Sequence, residues 1–473
     1  MTTRSTTPSI DTDTHTDTNT NTNTDRVIRH APDRLHALRP ESGAPSVGPI
    51  HLTLANGRTL TRREVLGGIG VAAGAVTFAS LVGAPAVGAA PVAAANAAPT
   101  RRPGQGVLVL VTAYGGNDGL NTIVPTQDPV YAAVRGAAGI PAGQTLRIDD
   151  RFGFHPSLAG LKGLFDQGKI GIVPGVGYPS PNRSHFRSMD IWQSGAPDRV
   201  ELTGWLGRWH DGTGADPLRM LSIGPSVPRA LVGTQSSASA IPNGTFTLPG
   251  GAPLTNAYTE AVRSPGSELG AWGTRIAATG ADLLRVSAKL RPILVAGAQG
   301  SADVSLEGAS NGDEGYSVLD RQLSEVSTLI RANVPTRVYS VSLGGFDTHA
   351  NELGTHAGLL LDLDRGITRF LASLANTPIA NDVVVVVYSE FGRRVAPNLS
   401  LGTDHGTCGP VLVAGHGVGG GMHADYPSLS DLVDGDLKVT TDFRRVYSTV
   451  LEQVLGADPA GVLGKRFEPL GFL

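Results

Sequence analysis

Cysteine is all but absent from this chain: of 473 residues, Cys408 is the only one. A framework of intramolecular disulfides is therefore excluded, and any life in an oxidising compartment must rest on a packed core. Lysine is scarce as well, five among 38 basic residues, and acids and bases nearly balance at a net charge of −3. No basic stripe with interleaved aromatics occurs, so nothing argues for a nucleic-acid partner. Hydrophobic residues at 40% and charged residues at 17% are globular values, with room for one large domain or two ordinary ones. No internal repeat is evident, no dinucleotide-type glycine fingerprint follows the first apolar run, and there is no P-loop. The stretch "GASNG" at 308–312 fits Gly-x-Ser-x-Gly. It lies in a Gly/Ser/Asp-rich loop, without the strand and helix that a nucleophile elbow requires. Cys408 is expected to be a small buried hydrophobe.

What is present begins with a long polar lead. Residues 11–24, "DTDTHTDTNTNTNT", contain no apolar side chain, so they cannot bury a core and residues 1–60 are expected to be disordered. Arg62 and Arg63 follow in "TLTRREVL", ahead of an uncharged Gly/Ala/Val-rich run from Val65 to Ala97. Residues 61–97 resemble a twin-arginine export signal, with Ala95-Asn96-Ala97 as a small-residue cleavage site. The alternative is an N-terminal membrane anchor, although Gly and Ala make the run only weakly hydrophobic. The chain is thus expected outside the cytoplasm, in the periplasm, cell wall or medium, with membrane contact only if the signal is retained. Twin-arginine export carries proteins that fold first, often around a cofactor.

From residue 105 to 473 apolar runs alternate with amphipathic stretches. "GVLVLVTA" (106–113), "KIGIVPGV" (169–176), "TRVYSVSL" (336–343), "DVVVVVYS" (382–389) and "GPVLVAG" (409–415) are predicted strands, the more continuous of them buried on both faces. Between them the apolar residues recur at three and four, as in Leu360, Leu363, Ile367, Phe370 and Leu374. The alternation implies an α/β fold with a mostly parallel sheet and helices on both faces. The stretch 225–315 is rich in Gly, Ser, Ala, Pro and Thr and is expected to form a cap-like insertion.

In such sheets ligands bind beyond the carboxyl ends of the strands. The five runs are attended there by "YGGNDGLN" (Asn117, Asp118, Asn121), "NRSHFR" (Arg183, Ser184, His185, Arg187), "GGFDTHANE" (Asp347, His349), "EFGRR" (Glu390) and "GTDHGT" (Asp404, His405). Each has a structural explanation alone: Asp118 in a turn, Ser184 or Asp347 as a helix cap, Glu390 paired with Arg393 or Arg394. Together they supply carboxylate oxygens and imidazole nitrogens, a donor set for Zn, Mn, Fe or Mg. They also place a hydroxyl beside arginine at a helix start, which suits attack on phosphorus or sulfur.

The leader with "GGNDGLNTIVP", "NRSHF…WQSG", "TGWLGR", "GGFDTH", "SEFGR", "GTDHGT" and "TTDFRRVYSTVL", in that order, resembles the bacterial domain-of-unknown-function family 1501. That family is similar in fold to the alkaline phosphatase and sulfatase superfamily. The resemblance implies a three-layer α/β/α sandwich with an alkaline-phosphatase-like, mostly parallel sheet. It implies one or two divalent ions (Zn, Mn, Fe, Ca or Mg) held by Asp118, Asp347, His349, Glu390 and His405, with Asp404 and Asn117 assisting. Ser184 takes the nucleophile's position, with Arg183 and Arg187 beside it. Departures are visible: Asp347 and His349 are two apart where the superfamily has four, Phe391 replaces an expected histidine, and Glu390 replaces an aspartate. These weaken one of the two metal sites, for which His423 is a weak substitute. The expected activity is metal-dependent hydrolysis of phosphate or sulfate esters, on a small molecule or a glycan. The alternative is a non-catalytic exported protein using the same pocket to bind a glycan or protein partner.

Overall fold

Unbroken runs of Val, Leu and Ile cannot leave either face in water, so they form strands covered on both sides. In the computed structural model, which describes residues 52–53, 59–60, 102–214, 216–242, 251–263, 270–300 and 317–473, these runs are strands of one nine-stranded sheet. In chain order they are β1 (Val107–Ala113), β2 (Ile170–Gly177), β3 (Met220–Ile223), β4 (Ser239–Ile241), β5 (Val338–Leu343), β6 (Val383–Tyr388), β7 (Gly409–Ala414), β8 (Gly421–Met422) and β9 (Thr441–Asp442). The spatial order is β8-β2-β7-β6-β1-β5-β3-β4, with β9 pairing β2. Every pairing is parallel except those of β7, which runs antiparallel to both β6 and β2. The carboxyl ends of β1, β2, β5 and β6 therefore lie at one edge of the sheet. The reversed β7 brings its amino end, and residues 403–408 before it, to that same edge.

Alternation along each strand divides the core in two. Val107, Val109 and Val111 point into one apolar cluster, and Leu108 and Leu110 into the other. The first cluster is closed by α1 (Ala159–Asp166), α3 (Gly270–Gly300), α4 (Val318–Arg331) and α5 (Glu352–Leu374), through residues such as Leu161, Leu290, Leu323 and Ile367. The second is closed by α2 (His185–Ser194), the short helix Trp205–Asp211 and α6 (Phe443–Val450), through Trp192, Trp205 and Tyr447. The protein is thus a three-layer α/β/α sandwich.

The stretch expected to be a cap contributes directly to these layers. β4 extends the sheet edge by pairing β3, and Val286, Leu290 and Leu294 of α3 lie in the first core cluster. Among the described residues no helix is long and apolar enough to cross a membrane. Apart from a two-residue strand pair, Leu52–Thr53 with Thr59–Leu60, the polar lead of 1–60 lies outside the described residues. So do the export signal at 61–97 and the "GASNG" stretch.

Candidate metal centre

Asp347 stands four residues beyond β5, on an extended loop that reaches α5 only at Glu352. Asn351, with φ near +45°, is the residue that caps that helix, so Asp347 is not a helix cap. Its Oδ1 instead receives the fully buried Arg393 guanidinium at 2.7 Å. Three imidazole Nε2 atoms close on the same oxygen: His349 at 3.0 Å, His405 at 3.2 Å and His185 at 3.3 Å. The Nε2 atoms of His349 and His405 are 2.9 Å apart. Burial alone would raise the Asp347 carboxyl, but the hydrogen bond and charge of Arg393 bring it down to about 2. Desolvation lowers the His405 imidazole from its ordinary value, against its hydrogen bond to the Arg183 carbonyl, which raises it.

The other ring nitrogens decide what these contacts mean. His185 Nδ1 lies 2.8 Å from Glu390 Oε1, His405 Nδ1 lies 2.7 Å from the Arg183 carbonyl, and His349 Nδ1 lies 3.3 Å from Asp404 Oδ1. Carboxylate and carbonyl oxygens only accept, so each Nδ1 must donate its proton outward. A neutral imidazole with Nδ1–H carries a bare lone pair on Nε2. Three such lone pairs then face the Asp347 oxygen at 3.0–3.3 Å, and those of His349 and His405 also face each other. Two lone pairs at 2.9 Å repel unless a cation or a proton lies between them. The outward hydrogen bonds are those that orient and tune metal-bound histidines, and the donor set fits a cation of the Zn or Fe type better than Ca or Mg. His185, Asp347 and His405 form the only group of metal-ligand geometry among the described residues.

Each position follows from the topology. Glu390 stands two residues beyond β6 and is buried, held by the Gly115 amide at 2.9 Å and the Ser389 hydroxyl at 3.1 Å. His185 opens α2 after β2. His405 precedes β7 and meets Arg393 in an isolated bridge. Phe391 packs against His185 and His405, with ring centroids 4.8 Å from each. At Gly116, with φ near +79°, a Cβ would sit 2.3 Å from the Phe391 ring, so only glycine permits this stacking.

The remaining residues singled out in the sequence lie around this centre or below it. Ser184 is exposed at the start of α2, and its side chain makes no capping bond. The Arg183 guanidinium is paired with buried Asp436, to which Arg394 also turns at 3.6 Å. Arg187 donates to the Arg199 carbonyl at 3.2 Å. Asp404 is exposed and also receives Asn398. Asp118 is not brought to the three histidines: both its oxygens are taken by Arg135, at 2.6 and 2.9 Å, in a fully buried ion pair. His423 bonds the Gly419 carbonyl. Cys408 is buried, its thiol pushed up to about 12 by desolvation.

The sequence pointed to Ser184, not its neighbour His185, as the functional residue at this helix start, and to Arg393 only as a partner of Glu390. Adjacent residues at a helix start point about 100° apart, and a single sequence does not say which of them turns inward. Arg393 does not pair with Glu390 as its spacing suggested. It spans the loops after β1 and β5, a contact set by the fold.

Beneath the centre lies a buried polar group formed by Asp118, Arg135, Glu352, His356, His155 and Asn117. His356 Nε2 meets Asn117 Oδ1 at 2.9 Å, and Thr403 donates to Glu352 at 2.7 Å. Desolvation, then the Asp118 charge, push the Glu352 carboxyl up to about 8, while desolvation brings His155 and His356 down to about 4. The two histidines have depressed folded values, so their contribution is complete above pH 6.5 and is lost as pH falls toward 4. Glu352 has a raised folded value, so its contribution is complete below pH 4.5 and is lost as pH rises through 8. Above pH ~6.5 the decline belongs to Glu352 together with Glu325, whose carboxyl desolvation raises to about 7. Glu352→Gln should therefore flatten the alkaline limb of folding stability in urea melts across pH 4–9, most of all above pH 7. An alkaline limb unchanged by that substitution would sink the assignment.

None of the curated proteins matches the chain in sequence. Among solved structures it is similar to the lipoteichoic acid synthase LtaP from Listeria monocytogenes, at 8% identity and TM-score 0.34, over 78% of this chain and 77% of that one. It is similar to a protein in the alkaline phosphatase superfamily from Vibrio parahaemolyticus, at 12% identity and TM-score 0.34, over 78% and 72%. A third is Thermus thermophilus alkaline phosphatase, at 13% identity and TM-score 0.28, over 63% and 61%. Residues 326–460, which include Asp347, His349, Glu390, Arg393 and His405, match the family described as "Protein of unknown function (DUF1501)", the family that the motifs resemble.

Proposed function

We propose that this chain is an exported, metal-dependent hydrolase of phosphate or sulfate esters. The observation that carries the reading is the convergence of three imidazole lone pairs on Asp347 Oδ1, at 3.0–3.3 Å, with every Nδ1 committed to an outward acceptor. His185, Asp347, His349 and His405 would hold one dication, with Glu390 and Asp404 orienting the rings. Such an ion supplies Lewis acidity and positive charge toward an ester oxygen. Arg183, Arg187, Arg393 and Arg394 balance the four carboxylates Asp347, Glu390, Asp404 and Asp436, so the charge of a bound dication is left over. A net positive site at the sheet edge favours an anionic ester over a neutral one.

Ser184 supplies the attacking hydroxyl in this reading. It is exposed beside His185, at the amino end of a ten-residue helix. The free amides of that first turn and the neighbouring arginines would hold the non-bridging oxygens as charge builds on them. The test uses the chain loaded in turn with Zn, Mn and Fe, with metal content measured and 4-nitrophenyl phosphate and 4-nitrophenyl sulfate as substrates. About one equivalent of bound metal is expected, with turnover that Ser184→Ala abolishes while the metal stays bound. A chain that binds no metal and hydrolyses neither ester overturns the proposal. One that binds metal without turnover leaves the site as a binding pocket and overturns the catalytic part.

A further inference from the structure

The exposed apolar residues are unevenly placed. Single exposed hydrophobics are ordinary, but a group rimmed by polar residues marks a binding surface. Among the described residues ten large hydrophobics are exposed, and five of them lie on or next to two of the three segments that supply the centre's residues. Phe186, next to His185 in the first turn of α2, is 89% exposed. Val200 and Leu202 lie on the loop whose Arg199 carbonyl accepts from Arg187 of that helix. Leu399 is fully exposed and Leu401 half-exposed, on the loop just ahead of Asp404 and His405. That loop is fastened to the centre: Asn398 donates to the His349 carbonyl at 2.9 Å, and the Leu401 backbone bridges Ala350.

From this arrangement, and resting on the hydrolase reading above, we propose that the substrate is an amphiphile. Its anionic phosphate or sulfate head enters the cationic centre, while its long apolar chain lies along Phe186 and Leu399. Charge at the centre and apolar side chains on the segments beside it match the two halves of one such molecule. A bilayer surface or a second copy of the chain would use the apolar residues without needing the charged centre.

The test measures calorimetric binding of the zinc-loaded chain to monomeric dodecyl phosphate, butyl phosphate and dodecyl maltoside. Dodecyl phosphate should bind more than about tenfold tighter than butyl phosphate. The double variant F186S/L399S should abolish that difference while leaving butyl phosphate affinity unchanged. Both sites are exposed, so folding is not at stake. Equal affinity for the two phosphates overturns the inference, and so does a chain-length preference that survives the double variant. Dodecyl maltoside bound as tightly as dodecyl phosphate overturns it too, because the surface would then be merely apolar. If 4-nitrophenyl phosphate is hydrolysed without any chain-length preference, only the amphiphile inference fails. A chain-length preference without turnover fails only the hydrolase reading.

Discussion

Replacing His405 with alanine should weaken zinc binding by more than about 100-fold, beyond the 10- to 100-fold usual for a lost outer partner of a metal ligand. Its Nε2 stands 2.9 Å from that of His349 and 3.2 Å from Asp347 Oδ1, so its loss opens the middle of the constellation. Glu390→Ala removes the acceptor that orients His185, together with that of the Gly115 amide and the Ser389 hydroxyl, and should fall within the 10- to 100-fold range. Ser184→Ala should leave the affinity as it was. Competition with a chromogenic chelator at fixed pH gives all three values. A His405→Ala chain that binds zinc as the parent does would mean that the imidazoles meet for another reason, such as a shared proton.

The largest loss of stability is expected at Arg393. Its side chain is wholly buried and donates to four backbone carbonyls, those of Gly115, Gly116, Phe346 and Thr403, besides Asp347 Oδ1. Those carbonyls belong to the loops after β1 and β5 and to the segment ahead of β7. One guanidinium thus holds together the three loops that carry the centre. Arg393→Met keeps much of the volume and removes every donor, leaving carbonyls buried without partners at about 1–3 kcal/mol each where the site does not relax. A net cost of about 3–5 kcal/mol is expected, the range for breaking a buried charge network. It should be read as a lower urea midpoint at unchanged slope. The same variant should bind metal more weakly, because Asp347 loses its anchor. A stability change below about 1 kcal/mol would show that solvent or rearranged loops replace the guanidinium.

These two residues mark where sequence reasoning stops. The metal-centre histidine pair 349 and 405 and the carboxylates 347, 390 and 404 are visible as polar residues around the ends of apolar runs. The runs themselves announce strands, since a segment such as "VVVVVY" has no face to offer water. β3 and β4 were not visible, because four and three residues in a Gly/Ser/Pro-rich stretch are too short to show a period. Asp118 carries the same signal as Asp347, a carboxylate in a glycine-rich turn after a strand. Only the fold separates them: α-helix Pro129–Arg135 delivers Arg135 to Asp118, while the reversed β7 delivers His405 to Asp347.

By itself, then, the chain's sequence determined the α/β alternation, the buried sheet and the edge at which polar chemistry gathers. Those follow from local periodicity and from the direction of parallel strands, both of which act over short distances along the chain. Which polar residues meet was decided only by the tertiary structure. His185 turns inward where Ser184 turns out, Arg393 claims Asp347, and Phe391 closes the space beside them. Such choices depend on partners between about 46 and 220 residues away, brought together by sheet order and loop packing, and no local pattern encodes them.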